Sequence, residues 1–280
     1  MIEAHVERFM AMGTRVELHV FGACDPQALL LGRRAIEQVD DALTIHRPSP
    51  TVSLNEALAA GGAATIDDPT LLAALIETRA MMTLTEGLFD PTVRQGAPRR
   101  AWELDGARGR IAADGPLAFD FGGMGKGFAL DCAAAALRET GVQSGLLSAG
   151  ESSILTIGRH PTGEPWPIGV PHPFAPGEFL AEFDLADEAL SVSSTVDASA
   201  PGRQPTLRGD DGSPVSAPCT AIAISARGSL AEALSTALMV ASPGERARFA
   251  DRDPSRLLCF RFDGCDAISL VQPGVRTCDA

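Results

Sequence analysis

Residues 115–131 read GPLAFDFGGMGKGFALD. Leu117, Phe119 and Phe121 recur at every second position, the period of a strand with one buried face. Over residues 126–141 the apolar residues recur at helical spacing, so a helix follows. Between the two stands a bend with four glycines and one lysine, bounded by Asp120 and Asp131. Glycine tolerates left-handed angles and lets another group approach the main chain with no Cβ in the way. A lysine in such a bend suggests that the approaching group is negatively charged.

The bend matches neither common phosphate fingerprint. G-x-x-x-x-G-K-[ST] fails because Asp120 holds the first position and Gly127 follows the lysine. Gly123, Gly125 and Gly127 give G-x-G-x-G, not the dinucleotide pattern. Backbone N–H groups at a helix start still attract phosphates, and Lys126 adds charge. The competing reading is a tight strand–helix turn with its lysine in solvent.

The remaining chain mixes both periodicities without a βαβ rhythm. Residues 15–22 alternate as a strand, and residues 25–45 read as a helix with Asp25 capping and Pro26 at its first position. Residues 67–87 repeat that helical pattern. GLLSAG and ESSILTIG read as strands broken at Gly150, residues 213–226 as a strand and 228–242 as a helix. CFRFDG and AISLV suit a closing hairpin, while 158–180 and 196–214 read as loops. The expected class is α+β, a mainly antiparallel sheet flanked by helices, in a single domain over residues 1–280.

A net charge of −13 argues against non-specific nucleic-acid binding, which needs lysine and arginine to neutralise phosphates. It leaves open a small phosphate ligand held through a metal ion. No apolar run approaches the ~20 residues of a membrane span. The start, MIEAHVERFMAMGT, lacks the apolar segment of a signal peptide, so the expected compartment is the cytoplasm, or the periplasm for a trimmed mature form. Six cysteines, at 24, 132, 219, 259, 265 and 278, form no C-x-x-C pair and read as free thiols.

In GSLAEALSTAL, residues 228–238, Ser229 and Glu232 fit a capping box. Glu232 and Thr236 also share one helical face, and a carboxylate with a hydroxyl are hard oxygen donors of the kind Mg2+ accepts. Both readings stand at this point.

AMGT (11–14), LFDPTV (88–93), DFGGMGKGFALD (120–131), LLSAGES (146–152) and LAEALSTAL (230–238) together resemble, in this order, the ApbE family of FAD:protein FMN transferases. The resemblance covers roughly residues 8–245. It implies an α+β fold with a central FAD cleft, Mg2+ as cofactor and FAD as substrate. FMN would pass to a threonine of an acceptor flavoprotein, releasing AMP. It further implies that Met12, Leu88, Phe89, Asp90, Asp120, Lys126, Ser193 and Leu207 line FAD. Gly123, through its carbonyl, Glu232 and Thr236 would hold the metal, and His46 falls near a position where a ring stacks on the ligand.

Three positions depart from the family pattern. Glu232 stands where aspartate is usual. SVSSTVD (191–197) replaces a Ser-Gly-Asp. QPTLRGDDGSPV (204–215) puts Pro205 at the position of the family's histidine base, in its HxxDP motif, and Arg208 at that of its aspartate. His172 is the candidate replacement base. Loss of the histidine leaves two alternatives open: a protein that binds FAD or AMP without transfer, or a metal-dependent FAD pyrophosphatase.

Overall fold

The computed structural model describes residues 3–22, 25, 27–92, 100–196, 206–209, 211–252, 256–264 and 266–269. In chain order it begins with β1 (Ala4–Ala11), β2 (Thr14–Phe21), α1 (Ala28–Leu43), α2 (Pro50–Ala57), β3 (Gly62–Thr65) and α3 (Pro69–Leu84). β4 (Trp102–Asp105) and β5 (Arg110–Ala113) follow, then a 3-10 turn (Phe121–Gly123) and α4 (Gly125–Glu139). The second half holds β6 (Gly145–Ala149), β7 (Ser153–Ile157), β8 (Trp166–Pro171), β9 (Phe179–Leu185), β10 (Ala189–Ser194) and β11 (Cys219–Ser225). It ends with α5 (Gly228–Val240), α6 (Pro243–Arg252), β12 (Arg256–Asp263) and β13 (Asp266–Ser269).

Eight strands form the main sheet in the order β1-β2-β6-β7-β10-β11-β12-β13, and every neighbouring pair is antiparallel. The expected α+β class with a mainly antiparallel sheet is what the chain adopts. Strand alternation sends side chains to two faces. On one face Leu18, Leu147, Leu155 and Ala223 join Leu130 and Leu137 of α4 and Leu234 and Leu238 of α5 in one buried cluster. On the other, Leu190, Ile222, Ile224, Phe260 and Phe262 pack under the β8–β9 hairpin through Trp166, Phe183 and Leu185. A separate three-stranded sheet, β3-β5-β4, is built from one strand before α3 and two after it.

Several local expectations change. Residues 115–120 form no strand. Their extended main chain is held by a side chain instead: Asn55 of α2 donates to the Phe119 carbonyl at 2.9 Å and accepts the Phe119 N–H at 2.7 Å. One amide thus supplies the two hydrogen bonds a neighbouring strand would have given. Phe119 then stacks on Phe121 with ring centres 5.9 Å apart and meets Trp102 edge-on at 5.1 Å. The expected loop 158–180 contains β8 and the start of β9. The strand expected over 213–226 is confined to Cys219–Ser225, after two prolines that have no N–H to pair.

α1 starts at Ala28, because Asp25 spends its carboxylate on the Gln27 N–H (2.7 Å) in a turn before the helix. Pro26 lies outside the described residues. Of the cysteines, Cys132, Cys219 and Cys259 are free thiols. Burial pushes Cys132 and Cys259 up to about 11, leaving both protonated and unreactive at neutral pH. Cys24, Cys265 and Cys278 lie outside the described residues. Among the described residues no helix is long and apolar enough to cross a membrane.

Candidate functional site

The glycine bend has a packing reason before it has a chemical one. A Cβ on Gly228 would sit 2.6 Å from the Gly127 carbonyl oxygen, and one on Gly127 would sit 2.7 Å from the Ser229 nitrogen. The first turns of α4 and α5 therefore cross main chain to main chain. Asp131, one turn further along α4, fastens the crossing. Its two carboxylate oxygens accept the Gly228 N–H at 2.6 Å and the Ser229 N–H at 2.9 Å. These are unsatisfied N–H groups of the α5 terminus, with the charge preference such a terminus has. Burial pushes the Asp131 carboxyl up, and the Ser229 and Gly228 N–H groups pull it back.

With Asp131 on those N–H groups, the capping box Ser229–Glu232 does not form. Arg227 holds the cap position without a side-chain bond. Glu232 turns inward, its side chain 4% exposed. Oε2 accepts the Gly127 N–H at 2.9 Å. Oε1 accepts both the Lys126 ammonium at 2.7 Å and the Ser153 hydroxyl at 2.5 Å. A carboxylate this buried needs such partners. The lysine that the sequence placed against an anion does meet one, supplied by the protein itself, while its side chain stays 25% exposed.

One turn along α5, Thr236 stands against the 3-10 turn. A Cβ on Gly123 would lie 3.4 Å from Thr236 Oγ1 and 3.3 Å from Phe89 Cε2. Glycine at 123 keeps that space open. Thr236 Oγ1 finds no acceptor among the described residues. The Leu88–Asp90 segment reaches the same place. Phe89 is buried, and the Pro91 carbonyl accepts the Asp120 N–H at 2.8 Å. The Asp90 carboxylate accepts the Thr92 N–H at 2.9 Å and its hydroxyl at 2.6 Å. Asp120 is exposed and accepts the Gly122 N–H at 2.9 Å, closing the 3-10 turn. Met12 joins from the β1–β2 hairpin. It occupies a left-handed turn position (φ 53°), and its methyl carbon lies 3.0 Å from where a Gly125 Cβ would be. Ser193 bonds Ser235, the residue before Thr236, at 2.8 Å.

Met12, Phe89, Gly123, Lys126, Glu232 and Thr236 are thus brought to one junction, with Asp120 closing its 3-10 turn, Leu88 and Asp90 flanking Phe89 in the chain, and Ser193 reaching α5 through Ser235. Other candidates lie elsewhere. His46 is exposed on the segment between α1 and α2, its N–H on Thr44 Oγ1 at 3.3 Å. Leu207 pairs with Pro214, and its neighbour Arg208 donates to the Val240 carbonyl at 3.1 Å, at the C-terminal end of α5. His172 stacks edge-on with Phe262 at 5.8 Å, on the sheet face opposite α5. Pro205 lies outside the described residues. Ser153 and Asp131 also hold this junction together, although no motif in the sequence singles them out. Ser153 carried a signal, since it shares the core-facing register of Leu155 and Ile157 and yet is polar.

The junction's donors fit a hard divalent cation. The set is all oxygen, Gly123 leaves a cradle beside the Thr236 hydroxyl, and Glu232 has three donors against about four lone-pair directions. Two hollows of about 360 and 430 Å³ lie on the β3-β5-β4 sheet and share no residue with this junction.

Solved structures share the fold. The flavinyl transferase ApbE of Pseudomonas stutzeri in its apo form superposes at a TM-score of 0.77, with 22% identity over 96% of this chain and 94% of that one. The ApbE protein of Thermotoga maritima gives 0.77 and 21% over 92% and 94%. The flavin transferase ApbE of Vibrio cholerae gives 0.77 and 18% over 96% and 97%. An FAD:protein FMN transferase of Rhodobacter capsulatus is 28% identical over 222 residues, 68% of this chain. That match spans 42% of the relative, less than half its length. The ApbE family pattern matches residues 12–260, and the chain belongs to that family.

Proposed function

We propose that this chain takes FAD in a cleft beside the α4–α5 junction and transfers FMN to a threonine hydroxyl of an acceptor flavoprotein, releasing AMP. The observation that carries this reading is the meeting of Gly123 and Lys126 with Glu232 and Thr236, from two stretches of chain more than a hundred residues apart. Glu232, Thr236 and the Gly123 carbonyl would hold a divalent cation, Mg2+ in this reading. When bound, that cation supplies Lewis-acid polarisation and neutralises phosphate charge. Lys126, on its flexible and partly exposed stem, exchanges Glu232 for a pyrophosphate oxygen and orients it. Phe89 and Met12 exclude water from the same space, and Asp90 and Asp120 contact FAD beside it.

In the reaction the bond between the FMN phosphorus and the bridging oxygen breaks, and the acceptor threonine oxygen forms a new bond to that phosphorus. AMP leaves with the bonding pair, and the hydroxyl proton needs an acceptor. His172 stands on the far face of the sheet, and Arg208 is engaged at Val240. These placements, with proline at 205, favour a second reading, a protein that holds FAD without transfer.

Incubating the chain with FAD, Mg2+ and an acceptor flavoprotein, then reading flavin fluorescence on the acceptor in a denaturing gel, separates the readings. Transfer gives a fluorescent acceptor; intact FAD supports binding alone; free FMN with AMP supports hydrolysis. Thr236→Val, which removes the hydroxyl and keeps the shape, should lower the labelling rate about tenfold or more with little change in melting temperature. Unchanged labelling would remove Thr236 from the metal site.

A further inference from the structure

Ser153 is 2% exposed and shares a sheet face with Leu155 and Ile157, both in the helix-side core. The fold asks for an apolar residue there. Ser191, paired opposite Ser153 on β10, is buried too and bonds Ser235 at 3.0 Å. Ser193 bonds the same Ser235, which also donates to the Glu232 carbonyl at 3.0 Å. Serines of β7, β10 and α5 therefore line the contact between sheet and helix where Glu232 turns inward. A buried hydroxyl costs stability unless it is paired, so a strip of them in place of aliphatics calls for a reason beyond folding.

The hydrogen bonds at Glu232 supply one. Oε1 is filled by Ser153 and Lys126, and Oε2 by the Gly127 N–H alone, so the open lone pair belongs to Oε2. Lys126 can swing away, with its side chain 25% exposed on a four-carbon stem. Ser153 cannot, because it belongs to a strand paired on both sides.

We propose that Ser153 is a positioning residue for the metal centre. Its hydroxyl keeps Oε1 occupied when Lys126 leaves for a phosphate, and so presents Oε2 to the cation. It does for a glutamate what the shorter aspartate would achieve by reach alone. The inference rests on the reading of Glu232 as a metal ligand.

The test is direct binding of manganese(II) to the full chain, with and without FAD, followed by loss of the free-ion electron paramagnetic resonance signal. Ser153→Thr and Ser153→Val are compared because they have the same shape and differ in the hydroxyl. Any packing cost of the extra methyl is common to both. S153T should bind Mn2+ with close to wild-type affinity, and S153V about tenfold more weakly. Equal affinity in the two variants, with binding lost in Glu232→Gln, overturns the role of Ser153 and leaves the metal site standing. Binding unchanged in E232Q, or absent from the wild type, overturns the metal reading and this inference with it.

Discussion

Gly127→Ala should destabilise the chain by about 3–5 kcal/mol, the upper end of what a single added methyl does in a packed core. The reason is that neither neighbour can yield. The added Cβ would overlap the Gly228 carbonyl and stand 2.7 Å from the Ser229 nitrogen, all of it main chain. The N–H groups of Gly228 and Ser229 are held by Asp131 at 2.6 and 2.9 Å. Relief would require α4 and α5 to separate, and that would draw Glu232 away from the Gly127 N–H and Thr236 away from Gly123. A melting temperature lower by about 10 °C is expected for a chain of this size, with metal-dependent turnover lost even below the new midpoint. A G127A variant that melts like the wild type would show that the helices do not cross at this glycine.

Glu232→Ala should fail in two ways at once. In function it removes the one carboxylate among the proposed metal ligands, and turnover should drop a hundredfold or more. In stability it strands the Gly127 N–H and the buried Ser153 hydroxyl, while Lys126 can escape to water. The expected cost is about 2–4 kcal/mol. Denaturant unfolding measures one effect, and turnover assayed below the unfolding midpoint measures the other. Wild-type stability would contradict the buried network, and wild-type turnover would contradict the metal role. A capping-box glutamate predicts neither, since replacing it costs only a fraction of a helix end.

The difference between those two views of Glu232 marks how far the sequence could be read. Its spacing from Ser229 and from Thr236 is a local pattern, and both patterns are present in the chain. What decides between them is Asp131, 98 residues before Ser229, which takes the helix-terminal N–H groups first. No periodicity carries that information. The strand expected over 115–123 fails for a similar reason, and its last three residues form the 3-10 turn. Alternating Leu117, Phe119 and Phe121 do describe an extended main chain, but its partner is the side chain of Asn55, 64 positions away. Helices α1, α3, α4 and α5 were legible from their apolar spacing, and α3 also from its cap, Asp68 accepting the Leu71 N–H at 2.7 Å; α2 and α6, short and weakly patterned, were not read from the sequence.

The β8–β9 hairpin was hidden by its punctuation. Pro171, Pro173, Pro176 and Gly177 crowd the turn, and the composition reads as loop. Yet Trp166, Val170, Phe183 and Leu185 supply the buried side of a layer. That layer also carries His172 to the face away from α5, which its residue type could not reveal. The glycine bend was legible in kind, a close approach of main chain, whereas its lysine, expected to face a bound phosphate, pairs with a carboxylate of the protein. That the group is Glu232 of the same protein depended on the tertiary crossing.

In the proposed function a divalent cation sits between the 3-10 turn at Gly123 and the Glu232–Thr236 face of α5 when FAD is bound. Crystals of the chain grown with FAD and Mn2+, with diffraction recorded to locate manganese by its anomalous signal, address it most directly. A single strong peak is expected within bonding distance of a Glu232 carboxylate oxygen, Thr236 Oγ1 and the Gly123 carbonyl, touching the pyrophosphate. FAD bound with no manganese there, or with manganese held by other residues, would contradict it.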